Sequence, residues 1–173
     1  MWTINATCIE TGKNWHFSKR EMDDWSFGRH YSPPFGLAQA AAASATVPYG
    51  IGALRFRLPS QGEMRTDPAT RAPLEAKSPP SRTVHLWDGG AYENLGLEAI
   101  FKPGEALRGC DYLVCSDASG PLGPPPRLHQ AVARRRPLVR ALRSRMLVRA
   151  FTAGRTEGVL VRMGNSTRDI DIA

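Results

Sequence analysis

The run VHLWDGGAYENLGLEAI, Val84 to Ile100, is apolar until it meets Asp88-Gly89-Gly90. A carboxylate at the end of an apolar strand can take a proton from a neighbouring hydroxyl, which a weak nucleophile such as serine needs at neutral pH. Two glycines after it suit a sharp exit from the strand, because glycine tolerates both positive φ and close backbone approach. The same residues also fit a plainer reading, an Asx-type turn in which Asp88 bonds its own backbone. Asp117, in CSDASG, stands at a second strand end and competes for the role of base; with Ser119 it also suits turn and capping bonds.

Other chemistry is sparse. His16, His30, His85 and His129 are scattered without an H-x-x-x-H pair, so no metal site is expected. In a regular strand His85 points away from the side of Asp88. Cys8, Cys110 and Cys115 form no C-x-x-C pair and cannot all pair with one another, which argues for a reducing compartment.

The elements that would position Asp88 follow from pattern. WTINATCIE reads as a strand, and Thr11 to Pro34 as irregular with one more short strand at Trp15 to Phe17. Leu37 to Thr46 reads as an alanine-rich helix ended by Pro48, and IGALRFRL as a strand. Pro59 to Arg82 contains five prolines and reads as a flexible insertion. Then come strand TVHLW, helix ENLGLEAIF and strand DYLVCSD, the βαβ pattern of a parallel sheet, so the expected class is α/β. Arg127 to Phe151 reads as helix with an apolar stripe of Leu128, Val132, Val139, Leu142, Met146 and Ala150, divided at Pro137. GVLVRMG is a last strand.

DGGAYENLG, with INATCIETGKNWHFS upstream and AQAAAASATVP between them, resembles the C-terminal half of the patatin-like phospholipase domain, where these blocks occur in this order. The resemblance implies an incomplete three-layer α/β/α domain with a mostly parallel sheet, spanning residues 1–173 as the C-terminal portion of one domain. It implies a lipid acyl hydrolase with a Ser-Asp dyad in which Asp88 is the base, Gly89 and Gly90 form its turn, and no cofactor takes part. Ser44, inside the alanine-rich match, is read as packing.

The serine of that dyad belongs to a G-x-S-x-G elbow, and none of the eleven serines has glycine two residues before and two after. In the family the elbow and the glycine-rich oxyanion loop precede the block that matches the start of this chain. Without the elbow and the oxyanion amides, each worth on the order of 10²–10³ in rate, the chain alone is expected to be inert as an esterase. A fragment, one half of a split enzyme completed by a missing N-terminal half or partner chain, and a pseudoenzyme all remain open.

The 173 residues are 42% hydrophobic and carry a net charge of +7. Arg127 to Arg155 holds nine arginines and no acid, so that segment is basic on a slightly acidic body. Arg134, Arg135, Arg136, Arg140 and Arg143 are candidates for holding phospholipid headgroups at a peripheral membrane contact. A nucleic-acid surface is the rival, disfavoured by the lack of a recognition motif and of aromatic residues among the arginines. A solvated face is the third reading. With no signal-peptide pattern and no long apolar span, a cytoplasmic chain is expected, with phospholipid or another acyl ester as substrate by resemblance.

Overall fold

The computed structural model describes residues 2–33, 35–47, 52–58, 63–66, 73–76, 78–101, 107, 110–117 and 135–162. Two compact units divide the chain, Met1–Tyr92 and Glu93–Ala173.

Short loops dictate the N-terminal unit. Strands β1 (Thr3–Cys8) and β2 (Lys13–Ser18) are joined by a tight turn in which Gly12 takes φ +66°. Strands β3 (Glu21–Asp24) and β4 (Gly28–Tyr31) follow after equally short connections. Connections of this length can join only antiparallel neighbours, since a parallel crossover needs a dozen residues or more. The turn between β3 and β4 is set by Asp24, whose Oδ1 accepts the backbone N–H of Ser26 at 2.7 Å and of Phe27 at 3.3 Å. Thr11–Pro34, read from sequence as mostly irregular, is thus largely a meander.

Strand β5 (Leu54–Arg57) pairs with β8 (Thr83–Asp88), and β8 pairs antiparallel with β1 through Ala6↔Asp88, Thr7↔Trp87 and Cys8↔Leu86. Within the proline-rich stretch, β6 (Glu63–Thr66) and β7 (Pro73–Ala76) extend the other edge. The sheet order is β5-β8-β1-β2-β3-β4-β6-β7, and every ladder is antiparallel. One face buries Ala6, Cys8, Trp15, Phe17, Met22, Val84 and Leu86 together with Ala40 and Ala43 of helix α1 (Leu37–Ser44). Alanine at those two positions lets the helix backbone lie close to the sheet.

The C-terminal unit holds β9 (Tyr112–Asp117), helix α2 (Arg135–Thr152) and β10 (Glu157–Arg162). Strands β9 and β10 are parallel, and their core is Leu113, Cys115 and Leu160 against Leu147, Ala150 and Phe151 of the helix, with Leu97 and Phe101. Gly158 makes room for that packing: a Cβ there would stand 2.8 Å from the Phe151 ring.

The expected three-layer α/β/α fold around a mostly parallel sheet is therefore incorrect. The protein is mostly β, with a large antiparallel sheet and, among the described residues, two α-helices and a single parallel pair. Strands β8 and β9 lie in different sheets. Between them the chain forms 3-10 turns at Gly89–Ala91 and Leu97–Ala99 where the βαβ reading needs an α-helix. The reason is local: Gly96 takes φ +68°, and buried Glu93 spends both carboxylate oxygens on the N–H groups of Leu95 and Leu97, a cap that favours a tight turn over a continuing helix.

Pro137 does not divide α2. It falls in the first turn, where its missing N–H has no intrahelical partner to lose. The apolar stripe expected on that helix is displaced as well. Among the residues whose burial is described, Leu142 and Met146 are exposed, while Ser144, Leu147, Ala150 and Phe151 form the buried face, and of the expected stripe Ala150 alone belongs to it; Leu128, Val132 and the Val139 side chain lie outside the description.

A candidate active-site turn at Asp88

Asp88 ends β8 and is half-buried. Its Oδ1 accepts the Gly90 N–H at 2.6 Å, so the Asx-type turn forms. Among the described residues the second oxygen, Oδ2, accepts no hydrogen bond, which leaves one side of the carboxylate for another donor. Close approach, not φ, is what requires glycine at position 89. Neither Gly89 nor Gly90 is among the positive-φ residues, but Gly89 is pressed on β1, where a Cβ would meet the Asn5 carbonyl oxygen at 2.5 Å.

Three segments tie this turn. The Asp88 N–H donates to the carbonyl of Thr46 at 2.8 Å, just past the C-terminus of α1. The Thr7 hydroxyl of β1 donates to the Asp88 carbonyl at 2.8 Å and accepts the Tyr92 N–H at 3.0 Å. The 3-10 turn closes on itself through Tyr92 N–H to the Gly89 carbonyl at 3.2 Å. The INATC, ASATV and DGGAY blocks, far apart in sequence, are thus hydrogen-bonded around one carboxylate. Thr7 and Thr46 carried no signal in the sequence reading beyond membership of those blocks.

The other candidates have different settings. Ser44 is half-buried at the end of α1. His85 stands on the face of β8 opposite Leu86, as its strand position required, and its Nδ1 is paired with Glu10 Oε1 at 2.7 Å. Asp117 is buried in the C-terminal unit. Arg143 is half-buried and paired with Glu98 at 2.5 Å. Arg135, Arg136 and Arg140 fall in the first half of α2, where side chains are outside the description. Arg134, Leu128, Val132, Ser119 and His129 lie outside the described residues.

A second polar cluster, not anticipated from sequence, lies on the sheet face opposite the core. His16, Asp23 and Arg29 are cross-strand neighbours on β2, β3 and β4. His16 Nδ1 is bonded to Asp23 Oδ1, and Arg29 reaches Asp23 Oδ2 at 3.0 Å and Glu21 at 3.4 Å. Burial pushes the Asp23 carboxyl up, but His16 and Arg29 outweigh it and hold the group below its usual range.

Among the described residues no three His, Cys, Asp or Glu side chains are grouped to hold a metal ion. Among them, too, no helix is long and apolar enough to cross a membrane. Compared with protein-family models, curated proteins and solved structures, the chain matches none.

Proposed function

We propose that the N-terminal unit carries the acid–base half of a serine acyl hydrolase acting on lipid esters, with Asp88 as proton acceptor. The observation that carries this reading is the convergence of three sequence blocks on Asp88: β1 through Thr7 and Asn5, the end of α1 through Thr46, and the glycine turn itself. These are the blocks on which the resemblance to patatin-like phospholipases rests. The fold contributes no support, because the sheet differs from the one the resemblance implied.

The chemistry is compatible with a directly acting carboxylate. Gly90 fixes one oxygen, and the other accepts nothing among the described residues, so a serine hydroxyl brought to within roughly 2.6–3.2 Å would find an oriented acceptor without a histidine relay. His85 is paired with Glu10, and Cys8 is a buried thiol pushed up to about 11, so neither is a competing nucleophile–base system. The nucleophile has to be supplied from outside these 173 residues, none of whose serines sits in G-x-S-x-G.

The test joins the chain to an N-terminal segment that carries a glycine-rich loop and a G-x-S-x-G elbow, as the resemblance implies, and assays p-nitrophenyl ester hydrolysis and fluorophosphonate labelling. The expected result is activity in the joined protein, none in the 173 residues alone, and a loss of about 10²–10⁴-fold in Asp88→Asn with the fold retained. Undiminished turnover in a folded Asp88→Asn protein would remove Asp88 from the mechanism.

A further inference from the structure

We infer that Thr7 is the positioning residue for the Asp88 carboxylate, an inference that rests on the functional reading above. Thr7 is buried, at 7% exposure, and lies on β1 opposite Trp87. Its hydroxyl uses donor and acceptor at once. It donates to the carbonyl of Asp88, the residue that enters the turn, and accepts from the N–H of Tyr92, the residue that leaves it.

The geometry gives this bracket a specific consequence. Carboxylate orientation depends on Gly90, whose N–H holds Oδ1, and Gly90 is the middle of the five residues that Thr7 ties at both ends. Gly89 sits against the Asn5 backbone with no space for a side chain, so the turn cannot slide toward β1. Its freedom is to peel away, and the Thr7 hydroxyl opposes that motion. Without the hydroxyl, the Asp88 carbonyl loses this donor and the Tyr92 N–H keeps only its longer bond to the Gly89 carbonyl at 3.2 Å, so the carboxylate loses part of the fixed frame that a proton acceptor needs. Valine keeps the branched shape of threonine and lacks the hydroxyl; serine keeps the hydroxyl and lacks the methyl.

Two measurements test the inference. In the 173-residue chain, the Gly90 and Tyr92 amide protons are followed by NMR for shift and hydrogen exchange. In the joined, active protein, kcat and KM are measured for Thr7→Val, Thr7→Ser and Asp88→Asn. Thr7→Val is expected to move the Gly90 amide upfield and to lower kcat by about 10²-fold at unchanged KM, with Thr7→Ser recovering both. If Asp88→Asn abolishes turnover while Thr7→Val leaves kcat and the Gly90 amide unchanged, the positioning role is overturned and the functional reading survives. If Asp88→Asn leaves turnover intact, both fall. Should Thr7→Val not fold, the unsubstituted chain still decides: rapid exchange of the Tyr92 amide, with its neighbours in β8 protected, would overturn the bracket.

Discussion

A Cβ on Gly89 would stand 2.5 Å from the carbonyl oxygen of Asn5 and 3.0 Å from its carbonyl carbon, so the Asp88 turn lies against β1 at a distance that only glycine permits. Both contacts are backbone, which cannot move aside as a flexible side chain would. Gly89→Ala is therefore expected to destabilise the N-terminal unit by about 1–3 kcal/mol, read from the urea midpoint. Gly12→Ala provides the contrast: it meets nothing within 4 Å, and its cost arises from φ +66° alone. A Gly89→Ala protein as stable as the parent would show that the close approach is absent in solution.

Acid stability is expected to turn on His30. This ring is 1% exposed, and burial, reinforced by the charge of Arg82, pushes it down from 6.5 to about 4. A pKa lower in the folded chain than in the unfolded one gives stability that is complete above pH 6.5 and lost as pH falls toward 4. The loss can reach about 3 kcal/mol. Asp23 acts in a separate window, since its contribution is full above 3.8 and disappears below that value. Urea midpoints between pH 7 and 4 should fall in the parent and be flatter in His30→Gln; parallel curves would exclude His30.

Alkali is expected to act through the buried thiols. Burial raises both Cys8 and Cys115 to about 11, with Glu93 and Asp117 adding to the effect at Cys115. Their stabilisation is complete below the unfolded value of 9.0 and lost as pH rises toward 11. At pH 8 an aromatic disulfide reagent should modify half-exposed Cys110 first and reach buried Cys8 and Cys115 only on unfolding. Three thiols reacting at one rate would contradict the burial pattern.

The face of α2 can be read by a pair of truncations. Leu147→Ala removes a side chain that is 0% exposed, and a cost of about 2–5 kcal/mol is expected. Leu142→Ala, at 49% exposure, should stay within about 0.5 kcal/mol of the parent. Thermal unfolding that ranks the two variants the other way would restore the stripe suggested by sequence spacing.

Individual elements were legible where one segment determines its own conformation. The β-branched run TINATC is β1, the alanine run is α1, and YLVCSD is β9. The meander after β1 was missed because its turns depend on Asp24 and Gly28, whose role appears only once Ser26 and Phe27 are seen to donate to the aspartate. Strand direction was missed for a different reason. An apolar strand followed by turn residues looks the same whether its neighbour runs with it or against it, and the Ala6↔Asp88 register is a long-range fact. At the site, the glycines pointed to Asp88, but nothing local to Thr7 or Thr46 announces that their oxygens bond a residue so far along the chain.

That separation also orders the assembly of the unit. Strands β1 to β4 pair through loops of a few residues and can form as soon as they are made. The Thr7 hydroxyl meets its acceptor across 81 positions, so the loop-closure entropy of nearly the whole unit has to be met before the carboxylate has a frame. During synthesis, then, the meander is an early scaffold and the Asp88 turn a late arrival, formed only after β8 has been translated and has found β1.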